Sequence, residues 1–156
     1  MNIKIIAVGK IREQGFKLAI EEFTKRLGAY CSFNIVEIPA QLIKDDALAE
    51  KYMEEEAQKI LAIIKPNSYV ITMEIEGKNL SSIDFARKID EITKDGINEI
   101  CFIIGGANGI AQSLRAKSNF KLSFSKMTFP HQLARVMLVE QIYRAMKILA
   151  KEPYHK

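Results

Sequence analysis

Cysteine is scarce in this chain: Cys31 and Cys101 stand alone, with no CxxC and no histidine pair beside either. A structural zinc site needs about four ligands, so no metal is expected, and the simplest setting is a reduced, cytoplasmic one. Long apolar runs are also missing. None approaches the roughly 18–20 residues that cross a bilayer, so no membrane span is expected. The N-terminus lacks a basic stretch followed by an apolar core and a small-residue cleavage site, so no secretory signal is expected. Three nucleotide and hydrolase signatures are absent: GxGxxG with an acid about 20 residues on, GxxxxGK[ST], and GxSxG. Those absences weigh against a dinucleotide enzyme, a phosphate-loop enzyme and a serine hydrolase. Finally, no Asp or Glu occurs between Ile100 and Val139.

What is present fits one folded domain over residues 1–156. The 48% apolar content excludes disorder. Neither an internal repeat nor a linker divides the chain. Strand-like runs recur at Ile3–Val8, Phe33–Ile38, Tyr69–Met73, Glu99–Ile104 and Phe120–Phe124, with helical patterns between them. Phe16, Ile20, Phe23 and Leu27 fall on one helical stripe. A second helix is expected from about Asp45, whose carboxylate can cap it, to Ile64, before Pro66-Asn67 stops it. A third starts near Ser81-Ser82 and offers Ile83, Phe85, Ala86 and Ile89 for burial. Strands alternating with helices, and strands rich in Ile and Val, predict an α/β fold: a mostly parallel sheet with flanking helices.

The last third carries the functional signals. Gly105-Gly106-Ala107-Asn108-Gly109 follows a strand, where glycines let backbone approach a ligand or simply make a tight turn. In open α/β sheets ligands bind outside the carboxyl ends of strands. Glu76-Gly77-Lys78 and Phe124–Pro130 also follow strands, so three loops can converge on one pocket. Leu133–Ala150 is apolar beyond a single stripe, as for a helix buried in the core or against a second subunit. His131 reads as a helix-start residue. The tail Tyr154-His155 either brings chemistry or is an ordinary mobile end. Charge divides unevenly: residues 100–156 hold nine Lys and Arg against two acids, while residues 1–99 hold fourteen against seventeen. Such a balance fits a face that meets a polyanion, or a plain solvated basic face.

Several segments together resemble the bacterial RlmH family. They are Ala7-Val8-Gly9-Lys10, Glu37-Ile38-Pro39-Ala40, Ile71–Lys78, Phe102–Gly109, Leu122–Arg135, Glu140–Ala145 and Pro153-Tyr154-His155-Lys156. The resemblance covers essentially the whole chain. It implies a SPOUT-like fold with a C-terminal trefoil knot, a homodimer, and S-adenosylmethionine as cofactor. The implied reaction is methylation of N3 of a pseudouridine in large-subunit rRNA on the assembled ribosome. Carried over by motif, the cofactor residues would be Met73, Gly105, Phe124, Ser125, Lys126, Met127, Thr128 and Phe129. The catalytic side would hold His155 as the base, Arg135 for a phosphate or developing negative charge, and Tyr154 for stacking on the target base. The chain ends in Lys156 where some relatives have arginine, and lysine lacks the planar fork. The competing expectation is a non-catalytic RNA- or ribosome-binding factor on the same fold.

Overall fold

The computed structural model describes residues 1–42 and 44–156. Five strands, β1 (Asn2–Val8), β2 (Ser32–Ile38), β3 (Tyr69–Asn79), β4 (Glu99–Ile104) and β5 (Phe120–Ser123), form one parallel sheet in the order β2-β1-β4-β3-β5. All six residues of the central β4 are buried. That is why the sequence after Glu99, from Ile100 to Ile104, is a continuous apolar run and not an alternating one. In register, Ile3 lies beside Ile100 and Ile5 beside Phe102, so their side chains share one face. Ile6 beside Ile103 supplies the other.

Helices α1 (Gln14–Leu27), α3 (Ser82–Lys94) and α5 (His131–Leu149) pack with the face that carries Ile5, Ile71, Phe102 and Ile104. Helices α2 (Ala49–Ile63) and α4 (Gln112–Lys117) pack with the face that carries Ile6, Val8, Cys101 and Ile103. Connections running toward the β2 edge therefore cross one face, and those running toward the β5 edge cross the other. This keeps every crossover of one hand, as twisted strands require. The connections after the adjacent strands β4 and β3 leave toward opposite faces, which opens a crevice at their carboxyl ends.

Local signals set the helix starts. Asp45 accepts a bond from the Ala47 N–H at 3.0 Å and opens a 3-10 turn, Asp46–Leu48, ahead of α2. The Ser81 hydroxyl accepts from the Asp84 N–H at 3.0 Å and caps α3. Two expectations change. Ile83 is 41% exposed, because the buried stripe of α3 runs through Phe85, Ala86, Ile89 and Ile92. And β3 does not stop at Met73. It leaves the sheet after Met73, which faces Leu122, and returns with Lys78 paired to the same Leu122. Four residues, Glu74 to Gly77, bulge outward. The bulge sits so close to β5 that a Cβ on Gly77 would lie 2.7 Å from the Leu122 carbonyl carbon.

Candidate functional site

At the carboxyl end of the sheet, three segments enclose a cavity of about 530 Å³. The first is the end of β3 with its bulge. The second is the Gly105–Gly109 turn after β4. The third is the loop from Phe124 to Pro130, which leads from β5 into α5. Met73, Ile104, Leu122, Phe124 and Phe129 give apolar walls, and Ser123, Ser125 and Thr128 add hydroxyls.

Each segment is held by local bonds. Gly109 donates its N–H to the Gly106 carbonyl at 3.0 Å and takes φ +87°, which favours glycine. Gly105 is required by space: a Cβ there would lie 2.6 Å from the Gly109 carbonyl oxygen. In the third segment the Ser123 hydroxyl donates to the Ser125 carbonyl, and the Met127 N–H donates to the Ser125 hydroxyl, both at 3.0 Å. The Asn79 amide ties the returning β3 to the Ser123 carbonyl at 3.0 Å.

The charged lining is mixed. Glu74, Glu76, Arg115 and Lys121 all face the cavity, with His131 at the start of α5. The Glu74 carboxylate, 11% exposed, pairs with Arg115 Nε at 3.1 Å. Its other oxygen accepts the Thr72 hydroxyl at 2.7 Å.

Of the residues singled out from sequence, Met73, Gly105, Phe124, Ser125, Met127, Thr128 and Phe129 line this one cavity. Lys126 belongs to the same loop, but its side chain is exposed and is not part of the wall. Arg135 does not reach the cavity. It is 2% exposed, donates to Glu37 Oε2 and to the Gly9 carbonyl at 2.9 Å each, and leaves Nε buried without a partner. Beside it, Gln132 accepts the N–H groups of Arg12 and Glu13 at 2.8 and 3.1 Å. Together they pin the loop between β1 and α1 to the first turn of α5, next to His131 and Ala134 in the cavity wall.

Tyr154 and His155 lie elsewhere again. The Tyr154 ring stands edge-on to Tyr143 at 4.9 Å, and its hydroxyl donates to Glu140 at 3.0 Å. Burial and that bond raise the phenol above its ordinary pKa, so it stays a donor. Arg144, also bonded to Glu140, meets His155 Nδ1 at 3.3 Å. A guanidinium only donates, so this contact leaves Nδ1 without a proton and puts the ring hydrogen on Nε2. The cavity touches α5 at His131 and Ala134. At 1.5 Å per residue, Arg144 is roughly 15 Å farther along the helix than Ala134. The tail therefore does not line the cavity of its own chain.

Sequence reasoning passed over several lining residues. Arg115 and Lys121 stood out only as members of an acid-free stretch, and His131 only as a helix start. A second cavity of about 420 Å³, with Phe23, Val136, Met137 and Glu140 in its wall, adjoins the first through Leu122, Ser123 and Phe124. Among the described residues no group of three or more His, Cys, Asp or Glu could hold a metal ion, and no helix is long and apolar enough to cross a membrane.

The family described as "Predicted SPOUT methyltransferase" matches residues 1–155. Three similar proteins bear the name ribosomal RNA large subunit methyltransferase H. One, from Clostridium beijerinckii, is 53% identical. Two, from Clostridium botulinum strains Hall and 657, are 50% and 49% identical. Each pairing covers 100% of both chains. A solved structure, the SpoU methyltransferase AviRb from Streptomyces viridochromogenes in complex with AdoMet, aligns with 97% of this chain. Its TM-score is 0.46 at 9% identity, and this chain spans 61% of its length. That similarity is too low to bear on this chain's chemistry.

Proposed function

The chain belongs to the SPOUT methyltransferase family, and from that premise we propose that it methylates N3 of a pseudouridine in large-subunit rRNA. It does so with S-adenosylmethionine, as a homodimer of single-domain, C-terminally knotted subunits, on the assembled cytoplasmic ribosome. The observation that carries this reading is the cavity at the ends of β3, β4 and β5. Seven of the eight residues expected from sequence to hold the cofactor come together in its wall.

The lining suits the cofactor. A volume of about 530 Å³ falls in the usual range for small-molecule sites. Apolar side chains from Met73, Ile104, Leu122 and Phe124 suit an adenine. Hydroxyls and loop backbone suit the ribose and the amino-acid end. The Glu76 carboxylate, which forms no ion pair among the described residues, suits a cationic centre.

When bound, S-adenosylmethionine supplies an electrophilic methyl group on a sulfonium. The chain's own residues must exclude water, orient the acceptor and take its proton. The β3 bulge and the Phe124–Pro130 loop flank the cavity, and positioning contributes on the order of 7–11 kcal/mol in well-oriented cases. We assign His155 the N3 proton, because a neutral imidazole carries a nitrogen that can accept one. In this structure the Nδ1 lone pair accepts from Arg144, so Nδ1 receives the proton once that contact gives way to the target base. Tyr154 offers an aromatic surface to the target base. Arg135, buried and paired, acts as a positioning residue for the first turn of α5. With the tail roughly 15 Å along α5 from its own cavity, it serves the cavity of the second copy in the dimer.

The test is transfer of labelled methyl to ribosomes from cells lacking this protein, compared with naked rRNA and separated subunits. Label recovered as N3-methylpseudouridine from the large subunit of intact ribosomes is expected. Normal cofactor binding with no label in any RNA would favour the binding-factor reading instead.

A further inference from the structure

We infer that the α4–β5 rim of the cavity holds RNA backbone phosphate beside the target nucleotide, with Arg115 as the main contact and Lys121 and Lys117 next to it. This rests on the reading of the cavity as a methyl-donor site that faces RNA. Arg115 lines the cavity, is 44% exposed and is ion-paired on one edge. Its Nε edge faces the nearly buried Glu74 carboxylate at 3.1 Å. Glu74 is held in turn by the Thr72 hydroxyl, which lies 2.8 Å from the Ser118 hydroxyl at the end of α4. Among the described residues neither Nη of Arg115 donates to any side chain or carbonyl. One edge of the guanidinium thus faces an acid and the Nη edge is free to offer an oxyanion two donors.

The neighbouring cations extend the site outward. Lys117 and Lys121 are exposed and form no ion pair among the described residues, and no acid occurs from Ile100 to Val139. Lys117 lies outside the cavity wall. Two cations in the wall, Arg115 and Lys121, with a third nearby on α4, match the repeated charge of a phosphate chain better than the single carboxylate of a small ligand. Lysine on the edge strand β5 would also discourage strand pairing between copies, but that accounts for Lys121 alone. It leaves unexplained a guanidinium anchored by a nearly buried acid in the wall itself.

The experiment uses full-length Arg115→Gln, Arg115→Lys and the double variant Lys117→Gln/Lys121→Gln. For each, S-adenosylmethionine affinity is measured by calorimetry. Ribosomes from cells lacking this protein serve as substrate for KM and kcat, and as ligand for binding across a salt series. Arg115→Gln is expected to raise the ribosome KM on the order of tenfold, with cofactor affinity held. Each lost cation should lower the slope of log binding against log salt by about 0.7–0.9. Arg115→Lys keeps the charge beside Glu74, so it should recover the salt slope but not the full KM. Loss of cofactor affinity by the same factor, with the salt slope unchanged, would assign the anion to the cofactor's carboxylate and overturn the inference. No change in either quantity would make the rim an ordinary solvated face and overturn it too. Should the wild type bind ribosomes but methylate no RNA, the catalytic reading fails while the salt slopes still decide the rim.

Discussion

A methyl group at Gly105 has no room, which makes Gly105→Ala a sharp test of how the cavity is built. An ideal Cβ would lie 2.6 Å from the Gly109 carbonyl oxygen and 2.9 Å from both the Gly109 carbonyl carbon and Ile110 Cγ1. Two of those three atoms are backbone, so the turn itself must move. Overpacking of this kind costs about 1–3 kcal/mol. For a chain of this size each kcal/mol lowers Tm by about 2–4 °C, so the expected fall is roughly 2–12 °C. The displaced atoms also form the cavity wall, so S-adenosylmethionine should bind ~10-fold more weakly, equivalent to about 1.4 kcal/mol. Gly96→Ala is the matched control. Gly96 has φ +80° with open space around its Cβ position, after the last turn of α3. Alanine there costs about 1–2 kcal/mol in backbone strain and leaves the cavity intact. Melting curves and calorimetric titration read both effects. If Gly105→Ala melts and binds like wild type, the steric reasoning is refuted. If Gly96→Ala weakens binding equally, affinity follows global stability and not the geometry of the turn.

Three further outcomes are expected. Burial pushes the Cys101 thiol up to about 11, so iodoacetamide at pH 8 should label the half-buried Cys31 first and reach Cys101 only on unfolding; equal native labelling would contradict the buried sheet. Burial alone would raise the Glu99 carboxyl, but bonds from Ser68 and Lys65 and the charge of Lys4 hold it below its ordinary value. A depressed carboxyl contributes stability above its unfolded value of ~4.3, and that contribution fades as pH falls through the folded value. Glu99→Gln should therefore be less stable than wild type at pH 7, with the gap closing below about pH 4 in urea titrations; a gap independent of pH would refute the linkage. Arg135→Met leaves the Gly9 carbonyl without its side-chain donor and frees the loop before α1, at a cost of about 1–3 kcal/mol. Glu37, 40% exposed, can rehydrate. Denaturant midpoints equal to wild type would show the pair to be idle.

The layered fold was legible because burial on both faces leaves a mark on sequence. Continuous apolar runs such as Ile100–Ile104 and the stripe of α1 follow from which atoms must leave water. Loops after strands were legible as candidate walls for the same reason: glycines and short polar runs stand where the periodicity breaks. The bulge in β3 was not. It brings Gly77 so near the backbone of β5, 44 or more residues downstream in the chain, that a Cβ there would have no room. The role of Arg135 was equally hidden, because its partners Glu37 and Gly9 come from the far side of the sequence. Sequence alone thus determined the fold class, the three loops and the acid-free basic stretch, all properties of local composition and period. Only tertiary structure decided which charges are paired and which are free. It mounted Arg115 on Glu74, buried Arg135 against Glu37 and set the tail far along α5 from its own cavity. Ion pairs and distances between remote residues depend on the register of the sheet, and no local pattern encodes them.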